Sequence, residues 1–139
     1  MWTLVLTLAA AAPMAPECSG QTTLEVETCL AAALTKSDAE LNRYYRAAVM
    51  HVTSEDGSKV AQGIVRAERS WLAYRDAECS TVYDRWSGGT IRGTMYFECR
   101  IRLTRLRTYS LWRSWLTYPD ITPPVLPRPN VEMATTGRF

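Results

Sequence analysis

Three long stretches of the chain repeat apolar residues at the three- and four-residue spacing of an amphipathic helix. They run from about Thr23 to Val52, from Lys59 to Asp84 and from Ile91 to Leu116. Polar or glycine-containing turns at 53–58 and 85–90 separate them, which favours reversal of the chain at each point. We therefore predict an all-α fold, a small antiparallel bundle of about three long helices.

The second stretch brings charged residues next to its apolar face. At helical spacing Arg75 lies beside Trp71, and Glu78 lies two turns beyond that tryptophan. A guanidinium in this position is explained by a carboxylate from a neighbouring helix, and Asp38 is our candidate. Asp76 and Glu78 do not form a catalytic acid–base pair, because two residues apart on a helix they point to different faces. The apolar face itself comprises Val60, Ile64, Ala67, Trp71 and Tyr74.

The third stretch is apolar on two sides, so it must be covered twice. One side carries Met95, Cys99, Leu103 and Leu106, and the other carries Phe97, Ile101, Leu111, Trp112 and Trp115. The first helix, the C-terminal tail or a partner can cover the second side, which leaves a homo-oligomer open. The arginines between the two sides are interpreted as a solvated flank, and we expect no nucleic-acid partner.

Four cysteines in a small domain predict two disulfides and folding in an oxidising compartment after export. Of the three pairings we favour Cys18 with Cys29, which closes a short loop onto the first helix. Cys79 and Cys99 lie at equal distances from Gly89 along the chain, so a hairpin reversing there brings their sulfurs together. A zinc site is not expected, because the chain has no Cys-x-x-Cys pair.

The two ends of the chain differ from its middle. Residues 1–16 contain a short apolar run typical of a signal peptide, and we expect no stable membrane insertion after its removal. Residues 118–139 are rich in proline and predict an extended, disordered tail, which leaves 17–117 as the helical domain. A single histidine and a net charge of +2 give no basis for a metal, a cofactor or histidine-based catalysis.

The connection between the second and third helices is the candidate partner-binding site. Trp86 follows Arg85 directly, a combination common at binding hot spots, although the indole in such a turn can equally close the end of the core. The adjacent Gly88 and Gly89 permit a tight reversal. With Arg92 these residues form the predicted binding tip.

With these residues in place, the chain resembles the lysozyme inhibitor LprI family from about Cys18 to Leu116. The likeness rests on the four cysteines, on the double glycine with Thr90, and on a set of helix residues with paired aromatic and charged members. That set comprises Asp38, Leu41, Asn42, Tyr45, Trp71, Tyr74, Arg75, Asp76, Thr104 and Arg107. The resemblance implies a disulfide-bonded helical protein of the bacterial envelope, periplasmic or secreted, that blocks a peptidoglycan-cleaving muramidase.

Two functions therefore compete. The first is a non-enzymatic protein that inhibits lysozyme by placing the Trp86–Arg92 connection in its cleft. The alternative is an envelope interaction module, a homodimer or an adaptor, that uses the aromatic face of Phe97, Ile101, Trp112 and Trp115. No nucleophile and base arrangement recommends an enzyme.

Overall fold

The computed structural model describes residues 18–131, which form a bundle of three α-helices without strands in that range. Helix α1 spans Thr23–Glu55, α2 spans Ser58–Arg85 and α3 spans Arg92–Trp115. Consecutive helices run antiparallel, so α1 and α3 run parallel. The predicted all-α bundle is confirmed, whereas the proposed signal peptide at 1–16 and the last eight residues of the tail lie outside the described residues.

Helix α1 begins at a capping box. The Thr22 hydroxyl accepts from the Glu25 backbone N–H, and the Glu25 carboxylate accepts from the Thr22 N–H. These backbone N–H groups, from Thr22 and then Gln21, lower the pKa of Glu25 below its ordinary 4.5. The helix then continues past Ser37, whose hydroxyl donates to the Ala33 carbonyl. Ser37 therefore lies inside one continuous helix and does not cap a second one.

The two turns use their glycines differently. Gly57 has a φ of 89°, a conformation that favours glycine, and it directly precedes α2. Gly88 and Gly89 stay at negative φ, so the second reversal does not depend on left-handed backbone. Helix α3 begins after Ile91, and no side chain caps it.

The main apolar core lies where α1 ends, α2 begins and α3 ends. Ala48, Val52, Leu111 and Leu116 are each almost fully buried there. Trp71, Trp112 and Trp115 pack around this core together with Leu126 of the tail. Burial of these side chains from four segments is the main apolar contribution to the stability of this end of the bundle.

The buried face of α2 is rotated from the predicted one. Val60 and Tyr74 were expected inside but are 39% and 52% exposed. The side chains that α2 buries are instead those of Ala61, Ile64, Glu68, Arg75 and Cys79. Two of the five carry charge, so hydrophobicity alone misplaces the centre of this face.

The tail from 117 to 131 is extended, and hydrogen bonds attach it to the bundle. The Val125 N–H donates to the Leu116 carbonyl over 2.9 Å, and Trp112 Nε1 donates to the Leu126 carbonyl over 2.9 Å. Tyr44 Oη donates to the Pro127 carbonyl over 2.6 Å, and Pro129 is buried. Prolines offer no N–H, but the carbonyls of this segment serve as acceptors for side chains of the bundle.

The second apolar side of α3 is covered within the chain. Ile101 and Leu111 are buried, and Trp112 and Trp115 pack on the core formed with α1 and the tail. Most of the face considered for a homodimer is therefore used in folding. Among the described helices, none is long and apolar enough to cross a membrane.

Substitution of either of two adjacent tyrosines tests how the tail is attached to the bundle. Burial raises the pKa of the Tyr44 phenol, so it remains a protonated donor to Pro127 at neutral pH. We expect Tyr44→Phe to lower the free energy of unfolding by about 1 kcal/mol through the lost hydrogen bond. Urea unfolding followed by circular dichroism measures this change.

Tyr45→Phe is the matched control, because the Tyr45 hydroxyl donates to no residue of the described part of the chain. It should change the unfolding free energy by less than about 0.5 kcal/mol. Equal effects of the two variants would contradict the proposed role of the Tyr44–Pro127 contact.

Candidate partner-binding site

The α2–α3 hairpin is closed by a buried disulfide. Cys79 and Cys99 are bonded with Cα atoms 5.6 Å apart, and neither is exposed. Leu103 completes this small cluster, and Val82 and Tyr96 pack on it. The second predicted pair, Cys18 with Cys29, is also bonded and ties the chain to the start of α1. Both predicted disulfides are confirmed.

A groove of about 650 Å³ opens beyond this disulfide. The first turns of α1, the end of α2, the 87–90 connection and the first turns of α3 all contribute to its walls. Two segments that are distant in sequence, residues 23–27 and 83–97, thus meet at one end of the bundle. We call this end of the molecule the tip groove.

Aromatic rings and an arginine form one wall of the tip groove. The Tyr83 and Tyr96 ring centroids are 6.1 Å apart in an edge-to-face arrangement, and those of Tyr96 and Phe97 are 5.7 Å apart. The Arg92 guanidinium lies 5.3 Å from the centroid of the Tyr83 ring. Arg92 is exposed and makes no ion pair with any residue from 18 to 131. Its charge is therefore positioned by a ring and remains available to an anion.

Gly93 allows α1 to approach the start of α3. The Glu27 carboxylate lies so close to the Gly93 backbone that a Cβ at this position would clash with it. A carboxylate is also favoured beside a helix N-terminus, where the backbone dipole is positive. Sequence reasoning missed both residues, and the only available signal was a glycine in the first turn of a helix.

The tip groove includes three of the five residues predicted for partner binding. Gly88, Gly89 and Arg92 line it. Arg85 is exposed but lies outside the lining, and Trp86 is partly buried at the C-terminal end of α2. Of the two interpretations of Trp86, the position favours closure of the helix end over contact with a partner.

Below the tip, one arginine connects all three helices. Arg75 of α2 is 5% exposed, and its Nη1 donates to Asp38 Oδ1 of α1 and to Thr104 Oγ1 of α3, each over 2.7 Å. The guanidinium also lies 5.1 Å from the Trp71 ring centroid. A buried guanidinium held by hydrogen bonds and a carboxylate fixes how the three helices align.

A second buried pair lies two turns away on the same face of α2. Glu68 is 7% exposed, and its Oε2 accepts from Arg107 Nε of α3 over 2.9 Å. We name these five residues the polar frame: Asp38, Arg75, Thr104, Glu68 and Arg107. Sequence reasoning did not identify Glu68, because an isolated glutamate in a helix resembles a solvated residue.

The other predicted motif residues lie outside the polar frame. Asp76 forms an exposed ion pair with Arg100, 2.9 Å between Oδ1 and Nη1. Asn42, Tyr74 and Glu78 are exposed, and Glu78 does not reach Arg75. No group of three metal-ligating side chains occurs between residues 18 and 131.

Comparison with known families identifies this architecture. The model of the family described as "Lysozyme inhibitor LprI" matches residues 14–111, more than half of the chain. The chain belongs to the lysozyme inhibitor LprI family. The match covers both disulfides and the polar frame, and it ends within α3 before the tail begins.

One curated relative of this LprI-family protein comes from Rhizobium meliloti (strain 1021). It is described as an uncharacterized protein and is 28% identical over 106 residues, which are 69% of this chain and 76% of the relative. No solved structure matches the chain. The family name indicates inhibitors rather than enzymes.

Removing the carboxylate of Asp38 tests the polar frame. We expect Asp38→Ala to lower the unfolding free energy by about 3 kcal/mol, because it leaves the Arg75 charge buried without a counter-charge. Asp76→Ala is the matched control, since the Asp76 side chain is 61% exposed and Arg100 keeps its hydrogen bond to Tyr96, and it should cost less than about 1 kcal/mol. Denaturant unfolding of both variants measures the difference in unfolding free energy. Similar losses of unfolding free energy would show that leaving Arg75 buried without a counter-charge destabilises the protein no more than losing Asp76.

Proposed function

We propose that this protein inhibits lysozyme-type muramidases in the bacterial envelope by inserting its tip into their substrate cleft. Membership of the LprI family supports inhibition as the activity. Two disulfides support folding in an oxidising compartment, and we propose a periplasmic or secreted location. The observation that carries the proposal is the exposed Arg92 guanidinium stacked on Tyr83 at the rim of the tip groove.

The chemistry of the target explains why an arginine suits this position. Glycosidases of the lysozyme type cleave with a pair of carboxyl groups in the cleft. A guanidinium offers several N–H donors to a carboxylate and keeps its charge at any physiological pH. The Glu27 carboxylate lines the same groove but forms no ion pair with Arg92, so the guanidinium is available to a carboxylate of the cleft.

The surroundings of Arg92 lower the conformational entropy that is lost when the tip enters a cleft. Cys99 lies seven residues after Arg92 on α3, about 10 Å along the helix, and its bond to Cys79 fixes the two arms of the hairpin. The rings of Tyr83 and Tyr96 support one another at the groove wall. A rigid tip loses little conformational freedom on binding, which improves affinity without additional contacts.

Local rather than net charge provides the complementarity in this proposal. The whole chain carries a formal net charge of +2, so long-range attraction to a basic lysozyme is not expected. A single cation placed against buried carboxylates acts at short range, where screening by salt is weak. Inhibition should therefore depend more on Arg92 itself than on the overall charge of the protein.

Charge reversal at the tip tests the proposal. In a turbidity assay of peptidoglycan lysis by lysozyme, we expect the oxidised wild-type protein to slow lysis. Arg92→Glu should raise the concentration required for half-inhibition by about tenfold or more, since it places like charges together. Circular dichroism spectra of the variant check that the bundle remains folded.

Arg113→Glu is the matched control, because Arg113 is an exposed arginine in the last turn of α3, at the opposite end of that helix. It makes the same change in net charge and should leave inhibition unaltered. Equal loss of inhibition in both variants would assign the effect to net charge rather than to the tip, and undiminished lysis with wild-type protein in large excess would reject the proposal for that lysozyme.

A further inference from the structure

A second groove lies between α1 and α2, halfway along the bundle. Its volume is about 270 Å³, and polar frame residues Asp38, Glu68 and Arg75 form part of its lining. Arg75 precedes Arg85 by ten residues on α2, which places this groove about 15 Å along the helix from the tip. We call it the side groove, and it is separate from the surface proposed to contact a muramidase.

The charges of the side groove are largely compensated. Asp38 is paired with Arg75, and Glu68 is paired with Arg107, so both carboxylates already have a guanidinium at 2.7 and 2.9 Å. A charged ligand would gain little from either pair and would lose its hydration. With Arg69 the lining has two guanidiniums and two carboxylates, so its formal charges balance and favour an uncharged molecule.

Hydrogen-bonding capacity nevertheless remains in the side groove. The second carboxylate oxygen of Asp38 accepts none of the described hydrogen bonds. The exposed side chains of Asn42 and Arg69 also line the groove and add an amide and further N–H donors. Donors and acceptors thus lie side by side around one small space.

The remaining walls are apolar or aromatic. Leu41, Val65 and Leu72 line the groove together with the partly buried ring of Tyr45. Carboxylate, amide and guanidinium groups beside an aromatic ring suit a molecule that has hydroxyls on its edge and C–H groups on its faces. Such a molecule donates to Asp38, accepts from Asn42 and Arg69, and packs its C–H face on the ring and the leucines.

We propose that the side groove binds one ring of an uncharged sugar. Its volume of about 270 Å³ lies just below the range of about 300 to 1,000 Å³ for small-molecule sites, which fits a single pyranose rather than a longer oligosaccharide. The sugar donates to the free Asp38 oxygen, and Asn42 and Arg69 hold it at the rim. The proposal does not depend on inhibition of a muramidase.

Titration of the isotopically labelled, oxidised full chain tests this proposal by NMR. The probes are N-acetylglucosamine and glucose, which share the ring hydroxyls and differ in the acetamido group. We expect saturable shifts of the Asn42 side-chain amide and of the backbone amides around Leu41 and Leu72. A stronger response to N-acetylglucosamine would identify an amino sugar as the ligand, and equal responses would identify the ring hydroxyls as the recognised feature.

Two exposed amides provide the variant and its control. Asn42→Leu removes the rim amide and should weaken sugar binding by roughly tenfold. Gln62→Leu removes an exposed amide of α2 that does not line the groove, and it should bind the sugar as the wild type does. Both positions are on the helix surface, so neither change should disturb the fold.

Three results would overturn the proposal. The first is an absence of shifts at groove residues with either sugar, and the second is equal binding by Asn42→Leu and wild type. The third is an equal or larger response at these residues to acetate or ethylammonium, which would show that the groove selects charge. No muramidase is present in the titration, so its outcome is independent of the lysis assay.

Discussion

The contact of Arg75 with both other helices determines how the remaining parts of this protein fit together. A guanidinium that is 5% exposed must have its charge and its N–H groups satisfied, and Asp38 and Thr104 supply partners from α1 and α3. A shift of any helix by one turn would separate these atoms by about 5 Å and leave a buried charge unpaired. Apolar packing tolerates more variation than this, so the arginine selects one alignment among several that would bury similar apolar area.

The disulfide, the hydrogen bond and the ion pair between α2 and α3 are consistent with a single register of the two helices. Cys79 with Cys99, Arg75 with Thr104 and Glu68 with Arg107 are three pairs at increasing distance from the turn, and each is nearly symmetric about Gly89. The disulfide and the polar contacts therefore support the same hairpin. The apolar core and the tail hold the opposite end, where Tyr44 and Trp112 bind the carbonyls of the extended segment.

Much of this arrangement can be predicted from the sequence, since helix periodicity and cysteine spacing are local signals. The three helices, both disulfides and the extended tail follow from them. The errors arise where polar residues are buried. Val60 and Tyr74 were placed inside from the spacing of apolar residues alone, whereas the face that α2 buries includes Glu68, which is paired with Arg107. The docking of the tail was missed for a similar reason, because proline excludes helix but leaves carbonyls free to accept hydrogen bonds.

The tip groove and the polar frame constrain different residues of the sequence. No residue of the frame lines the tip groove, and Arg92 is positioned by the Tyr83 ring rather than by a carboxylate. A substitution at Arg92 or Tyr83 therefore changes the surface offered to a partner without leaving a charge buried and unpaired. A substitution at Arg75 or Asp38 acts on the alignment of all three helices. Selection can thus change the partner of such a protein more readily than its fold. The family match over residues 14–111 therefore defines the architecture more firmly than it defines the partner.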